Sequence, residues 1–150
     1  MGSEFMTARH KSHCYHVYTT IGLSLTNTRT MQNYKNLRVW EGAHALVLEI
    51  YNATRSFPND ERYGLTSQIR RAAVSISSNI AEGTGRGSDA DFARFVQFAV
   101  GSISEVDYQL LLARDLNYVS AEAYAALNDQ LEIVRRMTIA LLKKLRARSS

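Results

Sequence analysis

The sequence is poor in the residues that mark disulfide-bonded, secreted and membrane-spanning proteins. Its 150 residues include 1 cysteine and 1 proline, and a single cysteine, Cys14, excludes an intrachain disulfide framework. No run of about 18 apolar residues occurs, so we expect no transmembrane helix and no membrane partner. Residues 15–25 lack the small-residue cleavage pattern of a signal peptide. These absences predict a cytoplasmic protein, and the scarcity of proline favours an all-helical chain.

The net charge is positive, but its distribution says little about nucleic-acid binding. The chain has 18 lysines and arginines against 14 acidic residues, a formal net charge of +4. Half of this excess lies in residues 1–30, where Arg9, Lys11 and Arg29 outweigh Glu4. The remainder of the chain is close to neutral, so basic composition alone does not predict a nucleic-acid-binding domain.

Residues 1–33 are expected to lie outside the folded domain. Residues 1–5 (MGSEF) have the composition of a cloning remnant. Residues 15–25 alternate apolar and polar side chains in a strand-like period, but a lone strand cannot bury its apolar face. We therefore predict either a flexible extension or an arm that pairs with another subunit. Met31 is a plausible alternative start.

Apolar residues recur at three- and four-residue intervals in four segments, a spacing typical of amphipathic helices. The first helix is predicted over Leu37–Phe57, with Asn36 as its N-cap and Pro58 at its end. The second helix is predicted to follow Asp60 and to end at Gly83 with a left-handed terminus. Its expected buried face consists of Leu65, Ile69, Ala72, Ala73, Ile76 and Ile80.

The third and fourth helices are expected to begin at serine caps. Ser88 is predicted to cap the third helix, with Asp91 in a capping-box position, and Ser120 the fourth, which reaches about Arg146. These helices and their short connections predict an all-α, antiparallel up-down-up-down four-helix bundle over residues 34–147, with residues 148–150 as a tail. The core stripe expected on the fourth helix is Tyr124, Leu127, Leu131, Val134, Thr138, Leu141 and Leu145. Surplus apolar residues typical of subunit association flank it, namely Ile133, Met137 and Ala140.

A row of polar residues runs beside the apolar face of the second helix, either at the edge of the core or at a subunit contact. Its members are Gln68, Arg71, Ser75, Asn79 and Glu82. Folding the second and third helices together about Gly85 brings Arg71 near residues 101–105. We therefore predict a contact between Arg71 and either Glu105 or Ser102.

Three patterns resemble ligand sites but lack what each site requires. The glycine-rich run at residues 83–87 has no preceding strand and no following Gly-Lys-Ser/Thr, so a phosphate-binding loop is disfavoured. Glu41 and His44 form one E-x-x-H pair, whereas a dinuclear site in a bundle needs two such pairs. The spacing of the third pattern does not match a zinc module: His10, His13, Cys14 and His16. We predict no metal site and no cofactor.

Catalytic side chains are scarce in the part of the chain expected to fold. Beyond residue 33 the sequence offers one histidine, His44, and no cysteine. No Ser-His-Asp or Cys-His arrangement can be assembled from these residues. We therefore predict that the protein is not an enzyme.

Basic side chains concentrate near the C-terminus, where Glu132 is the one acidic residue between positions 131 and 150. Two interpretations remain open. Cations at a helix C-terminus complement the helix dipole as an ordinary solvated end. Repeated around an oligomeric ring, the same residues form a multivalent surface for RNA or DNA phosphates. The candidate nucleic-acid-binding residues are Arg135, Arg136, Lys143, Lys144, Arg146 and Arg148.

Three stretches of the chain have long, specific motifs: NYKNLRVWEGAHAL, ERYGLTSQIRRAAVSISSNIAEG and DFARFVQFAVGSISE. Together with the leucine-rich last helix, they resemble the 23S rRNA intervening-sequence-encoded protein family, also called the four-helix bundle protein family. This resemblance implies an antiparallel four-helix bundle assembled into a ring of five identical subunits. The motif residues to which it assigns a structural or interface role are Glu61, Arg62, Tyr63, Gln68, Arg71, Ser75, Asn79, Glu82, Gly83, Gly101, Ser102 and Glu105. Five further residues match the motif: Leu65, Ala72, Ile76, Ile80 and Ala81.

The resemblance also guides the expected role. Some members of the family are encoded within insertions in 23S rRNA genes, and a related branch is the accessory protein of diversity-generating retroelements, which associates with a reverse transcriptase and with nucleic acid. The leading hypothesis is therefore a non-enzymatic oligomeric scaffold or adaptor that associates with itself and with RNA, DNA or a reverse transcriptase. The alternative is a purely protein-binding oligomeric module with no nucleic-acid role. A ligand- or metal-dependent bundle is a third, disfavoured hypothesis.

Overall fold

The computed structural model describes residues 33–149. Within that range the regular structure is entirely helical, which confirms the all-α prediction. The four α-helices are α1 (Arg38–Ala53), α2 (Leu65–Thr84), α3 (Asp89–Asp115) and α4 (Ala121–Ser149). Single 3-10 turns occur at Tyr34–Asn36, Thr54–Ser56 and Asn59–Glu61. The predictions for the N-terminal extension, its strand-like segment, its metal-capable cluster and Met31 lie outside the described residues.

The two predicted serine caps are present. The Ser88 hydroxyl accepts a hydrogen bond from the Asp91 amide (3.1 Å) and donates one to the Asp91 carboxylate (2.9 Å). Ser120 Oγ accepts from the Ala123 amide at 3.1 Å. Each cap satisfies an amide that a helix N-terminus leaves without an intrahelical partner. Helix α4 continues to Ser149, beyond residue 147 where we expected the bundle to end.

Helix α1 begins within one residue of its predicted start, but the predicted N-cap, Asn36, and the predicted end at Phe57 are wrong. Leu37 occupies the N-cap position, and the side chain that caps is Asn33, which accepts from the Lys35 amide in the preceding 3-10 turn (3.0 Å). At the other end the α-helix stops at Ala53. The Thr54 hydroxyl donates to the Ile50 carbonyl at 2.8 Å, and the chain tightens into a 3-10 turn before Pro58.

Helix α2 begins later than predicted because Glu61 acts as a cap from a distance of four residues. Glu61 Oε2 accepts a hydrogen bond from the Leu65 amide at 2.8 Å, so the residues between them form a turn instead of the first turn of the helix. The carboxylate therefore lies at the positive end of α2, where its charge is favourable.

The left-handed helix terminus expected at Gly83 is also wrong. Gly83 lies within α2, and the next glycine, Gly85, has a right-handed φ of −80°. What Gly83 provides is space, because a Cβ there would overlap the ring of Phe92 and lie 3.0 Å from Cβ of Phe95. The absence of a side chain allows the start of α3 to approach the last turn of α2.

A residue in the left-handed conformation terminates α3. Asn117 has a φ of 57°, and asparagine tolerates this conformation better than most residues. The Tyr118 amide bonds to the Ala113 carbonyl (2.8 Å) and the Asn117 amide to the Arg114 carbonyl (2.9 Å). This is the Schellman arrangement, and it satisfies two carbonyls at the end of the helix.

The core is formed by all four helices. Helix α1 packs on α2 and α4, and α3 packs on α2 and α4. The predicted apolar face of α2 is buried throughout, and Ile69, Ile76 and Ile80 have no exposed surface. On α4, Leu142 is buried and Leu141 only half-buried, whereas the other predicted leucines are buried. Truncation of one such isoleucine to alanine typically destabilises a protein by about 2–5 kcal/mol, so this cluster carries much of the stability.

A smaller apolar cluster joins the start of α3 to the end of α4. Phe92 and Val96 pack there with Leu142 and Leu145. A third cluster at Phe57, Leu65 and Ala113 closes the connection between α1 and α2 over the end of α3. No helix among residues 33–149 is long and apolar enough to cross a membrane.

Candidate nucleic-acid interface

The basic residues of α4 do not form one continuous patch of free cations. Arg135 is half-buried and donates to Asp107 of α3 (2.7 Å) and to Glu132 of its own helix (2.7 Å). Arg146 donates to Gln97 of α3 at 2.9 Å. These contacts connect α4 to α3, so Arg135 and Arg146 have a structural role that the sequence pattern did not indicate.

The remaining cations of the candidate set differ in their pairing. Arg148 forms an ion pair with Asp89 at 2.9 Å. Arg136, Lys143 and Lys144 are exposed and have no ion pair with any described residue. Because Arg136 and Lys143 are one heptad apart, they lie on the same side of α4. We define these three residues as the α4 basic end.

Exposed apolar side chains lie among these cations. Ile133 is 47% exposed, and Ile139 and Ala140 are also exposed. Met137, predicted as part of the same surplus stripe, instead packs partly buried against the core. Helix α3 exposes a second apolar stripe, where Phe98 (47%) and Tyr108 (63%) lie on either side of Gly101.

The polar row of α2 meets α3 through serine and not through Arg71. Ser75 Oγ and Ser102 Oγ are 2.9 Å apart, and Asn79 Nδ2 donates to the Ser75 carbonyl at 2.8 Å. Arg71 forms neither an ion pair with Glu105 nor a hydrogen bond with Ser102, so the predicted contact is wrong. The short hydroxyls meet where the helices touch, whereas Arg71 and Glu105 are both exposed to solvent.

Glu61 connects three segments of the chain. In addition to capping α2, its carboxylate accepts a hydrogen bond from the Tyr118 hydroxyl at 3.3 Å. Partial burial raises the pKa of Tyr118 above its ordinary value, and the negative charge and hydrogen bond of Glu61 raise it further. The Tyr118 hydroxyl therefore keeps its proton, and continues to donate to Glu61, to a higher pH than an ordinary tyrosine would.

The feature that sequence reasoning missed is a surface groove between α1 and α2. Its wider part is a cavity of about 630 Å³ that contains three arginines and two tyrosines. The Arg70 guanidinium lies 4.8 Å from the centre of the Tyr51 ring, and its Nε donates to Thr54 Oγ1 at 2.8 Å. The residues that line this cavity are Tyr51, Arg62, Tyr63, Thr66, Ser67, Arg70, Arg71, Val74 and Ser75.

A second cavity of about 390 Å³ adjoins the first at Val74, which lines both. Trp40 and His44 stack there with ring centres 5.1 Å apart and planes 6° from parallel, and Tyr34 contacts the edge of Trp40. We call the two cavities together the α1–α2 groove. His44 thus belongs to an aromatic wall, and the described residues contain no cluster of His, Cys, Asp and Glu suited to a metal ion.

A comparison with protein families agrees with the pattern of motifs. The family model described as 23S rRNA-intervening sequence protein matches residues 35–140. The chain belongs to this family. The resemblance noted in the sequence is therefore confirmed.

The fold of this member of the 23S rRNA-intervening sequence protein family also matches a solved structure. That structure is a protein with unknown function from the S23 ribosomal protein family of Bacteroides thetaiotaomicron, with a TM-score of 0.63. The match covers 70% of this chain and 98% of that chain at 24% sequence identity, so it shows a shared fold. No curated protein sequence matched the chain.

The family-motif residues fall into three structural groups in this chain. One group holds helices together, as described for Glu61, Ser75 and Gly83. In the second group, Glu82 pairs with Arg86, whose guanidinium lies 4.4 Å from the centre of the Phe95 ring. The third group is turned toward solvent or the α1–α2 groove, and its members are Arg62, Tyr63, Gln68, Arg71, Gly101 and Glu105.

Proposed function

We propose that this protein is a non-enzymatic, oligomeric scaffold or adaptor of the cytoplasm that associates with RNA or with a nucleic-acid enzyme. The observation that carries the proposal is the α4 basic end, where three exposed cations have no ion pair among the described residues. Lysine and arginine side chains that are not neutralised within the chain are available to phosphates. The absence of a catalytic constellation in the sequence supports a binding role.

The proposed topology is an up-down-up-down bundle. Contacts between α3 and α4 support it, because Asp107 meets Arg135 whereas the earlier residue Gln97 meets the later residue Arg146. Partners that advance in opposite directions along two helices are expected of antiparallel neighbours. Short connections between consecutive helices support the same topology for the other pairs.

The proposed assembly is a ring of five subunits. A ring needs two different surfaces on each subunit that fit one another. The stripe around Phe98 and Tyr108 on α3 and the stripe around Ile133 on α4 are two exposed apolar surfaces of this kind. A ring would place five copies of the α4 basic end on one particle, and multivalent attachment strengthens weak individual contacts.

One set of samples tests the proposal. Light scattering coupled to size-exclusion chromatography should give five times the chain mass of 16.9 kDa. Fluorescence anisotropy at about 50 mM salt should show binding to labelled single-stranded RNA, because phosphate contacts are strongest at low salt. The triple variant Arg136→Ala, Lys143→Ala, Lys144→Ala should make the negative slope of log K (the association constant) against log salt shallower by about 2. Each phosphate contact to a single strand contributes about 0.7 to the magnitude of that slope.

The control is Arg114→Ala, which removes an exposed arginine that is already paired with Asp115. It should leave the salt dependence unchanged. A monomer at micromolar concentration would refute the ring. A pentamer that binds neither RNA nor DNA at about 50 mM salt would instead support the second candidate, an oligomeric module that binds only proteins, which the exposed Phe98 and Tyr108 favour.

A further inference from the structure

The α1–α2 groove is a positively charged surface without internal neutralisation. Its lining includes Arg62, Arg70 and Arg71, and none of the described residues that line it is Asp or Glu. The carboxylate of the neighbouring Glu61 is engaged elsewhere, because its two oxygens accept from the Leu65 amide and the Tyr118 hydroxyl. An anion in the groove would therefore meet arginines without a competing carboxylate in the wall.

The arginines divide into one that shapes the groove and two that are available. Arg70 is held by Thr54 and lies over the Tyr51 ring. Arg62 and Arg71 are exposed and form no ion pair with any described residue. The Arg62 guanidinium lies 5.7 Å from the centre of the Tyr63 ring, which leaves its N–H donors without a carboxylate partner among residues 33–149. A guanidinium carries five N–H donors in a planar fork that matches the oxygens of a phosphate. Two such forks beside one cavity suit a phosphodiester chain.

Aromatic faces lie in the same groove. Tyr63 is 86% exposed, far more than a ring of this size would be if its purpose were packing within the subunit. The stacked Trp40 and His44 line the adjoining cavity. Trp40 and Tyr51 are separated by eleven positions of α1, or about 16 Å at a rise of 1.5 Å per residue. The three arginines line the wider cavity together with Tyr51 and Tyr63, and the stacked rings continue the groove beyond them. Cations beside exposed rings are typical of surfaces that bind single strands, because every base can stack on a ring.

We propose that the α1–α2 groove binds a single-stranded segment of nucleic acid, with its phosphates on Arg62 and Arg71 and a base stacked on Tyr63. This inference rests on the proposed association with RNA and adds to the α4 basic end a second surface that contacts the RNA. An acidic peptide would satisfy the arginines but would leave the rings unused. A duplex keeps its bases stacked on one another, so it could not use Tyr63.

The test uses the full chain and a fluorescein-labelled 12-nucleotide uridine RNA at about 50 and about 200 mM salt. Three variants are compared with the wild type: the double variant Arg62→Ala, Arg71→Ala, and the single variants Tyr63→Ala and Tyr63→Phe. Loss of the stacked base in Tyr63→Ala should weaken binding by about 5- to 150-fold, whereas Tyr63→Phe keeps a ring and should bind within about twofold of wild type. The double arginine variant should weaken binding at least about tenfold. It should also make the negative slope of log K against log salt shallower by about 1.4.

Competitors and a second site distinguish the possible failures. An RNA duplex of about 12 base pairs and a polyglutamate of about 12 residues should compete poorly; equal competition by either would overturn the proposal in favour of a simple anion-binding surface. If the triple α4 variant loses RNA binding while the groove variants keep it, the groove assignment is wrong and the proposed function stands. If the wild type binds no RNA even at low salt, both fail. Far-UV circular dichroism melts of every variant separate loss of binding from loss of folding.

Discussion

Gly83 and Gly101 provide a matched test of how tightly α2 and α3 are packed. Both glycines lie inside α-helices, but their surroundings differ. A Cβ at Gly83 would overlap the ring of Phe92, a side chain that is 1% exposed and packed against Leu142 and Leu145. A Cβ at Gly101 would meet no atom of residues 33–149 within 4 Å. The same substitution, glycine to alanine, should therefore have opposite effects at the two positions.

The magnitudes follow from two opposing terms. Alanine favours a helix over glycine by about 1 kcal/mol, so Gly101→Ala should stabilise the protein by about 0.5–1 kcal/mol. At Gly83 the same gain opposes an overpacking penalty of about 1–3 kcal/mol. Because the overlap falls on a rigid aromatic ring, we take the upper part of this range and expect a net destabilisation of about 1–2 kcal/mol. The melting temperature should then fall by about 2–8 °C in a chain of this size.

Guanidinium-induced unfolding followed by far-UV circular dichroism measures both effects. Gly83→Ala should lower the midpoint and Gly101→Ala should raise it, with unchanged m-values. A double variant, Gly83→Ala with Phe92→Leu, should be more stable than the sum of the two single effects, because the smaller side chain removes the overlap. If Gly83→Ala were as stable as the wild type, the close approach of α2 and α3 at this point would be refuted.

Two further predictions concern side chains that the structure distinguishes from their sequence neighbours. Arg135→Ala should destabilise the protein by about 0.5–1 kcal/mol, because the half-buried Arg135 side chain pairs with both Asp107 and Glu132. The control Arg136→Ala should change the free energy of unfolding by less than about 0.5 kcal/mol. Equal effects of the two substitutions in chemical denaturation would contradict this assignment. Glu61→Gln should lower the pKa of Tyr118 toward its ordinary value of about 10, measured by the ultraviolet absorbance of tyrosinate. The pKa of Tyr118 is higher in the folded state than in the unfolded state, so its stabilising contribution is complete below about pH 10 and is lost as the pH rises through the folded-state pKa. The free energy of unfolding of the wild type should therefore fall above about pH 10. The same fall should be less steep in Glu61→Gln.

Local patterns in the sequence were sufficient for the helices and several of their ends. The three- and four-residue spacing of Ile69, Ile76 and Ile80 identifies the buried face of α2, because a helix places such residues on one side. Ser88 and Ser120 were recognisable because a cap and the amide that it satisfies are three residues apart. Gly83 shows the limit of this reasoning: a glycine near a helix end indicates either a left-handed turn or a close approach, and only the position of Phe92 decides between them.

The candidate site was harder to predict from the sequence, because the residues that contact one another there come from separate helices. Arg135 and Arg148 look like free cations in the sequence, but Asp107 and Asp89 arrive from α3 and pair with them. The contact expected for Arg71 required the register of α2 against α3, and Ser75, one turn further along, makes it instead. The α1–α2 groove is likewise invisible in any single helix. Its signal in the sequence was the pair Arg62 and Tyr63, a cation next to an aromatic residue in a motif otherwise explained by packing.

Val74 occupies the position where the two hollows beside α1 and α2 meet, and both share its side chain as a wall. The side chain of Val74 is therefore one determinant of how far the two parts of the groove connect. A longer side chain in place of Val74 would divide the groove into two shorter pockets, each large enough only for part of a ligand. Alanine at the same position would leave one continuous channel. A single substitution at position 74 would therefore change the size of the ligand that this surface admits, without changing the packing of the four helices beneath it.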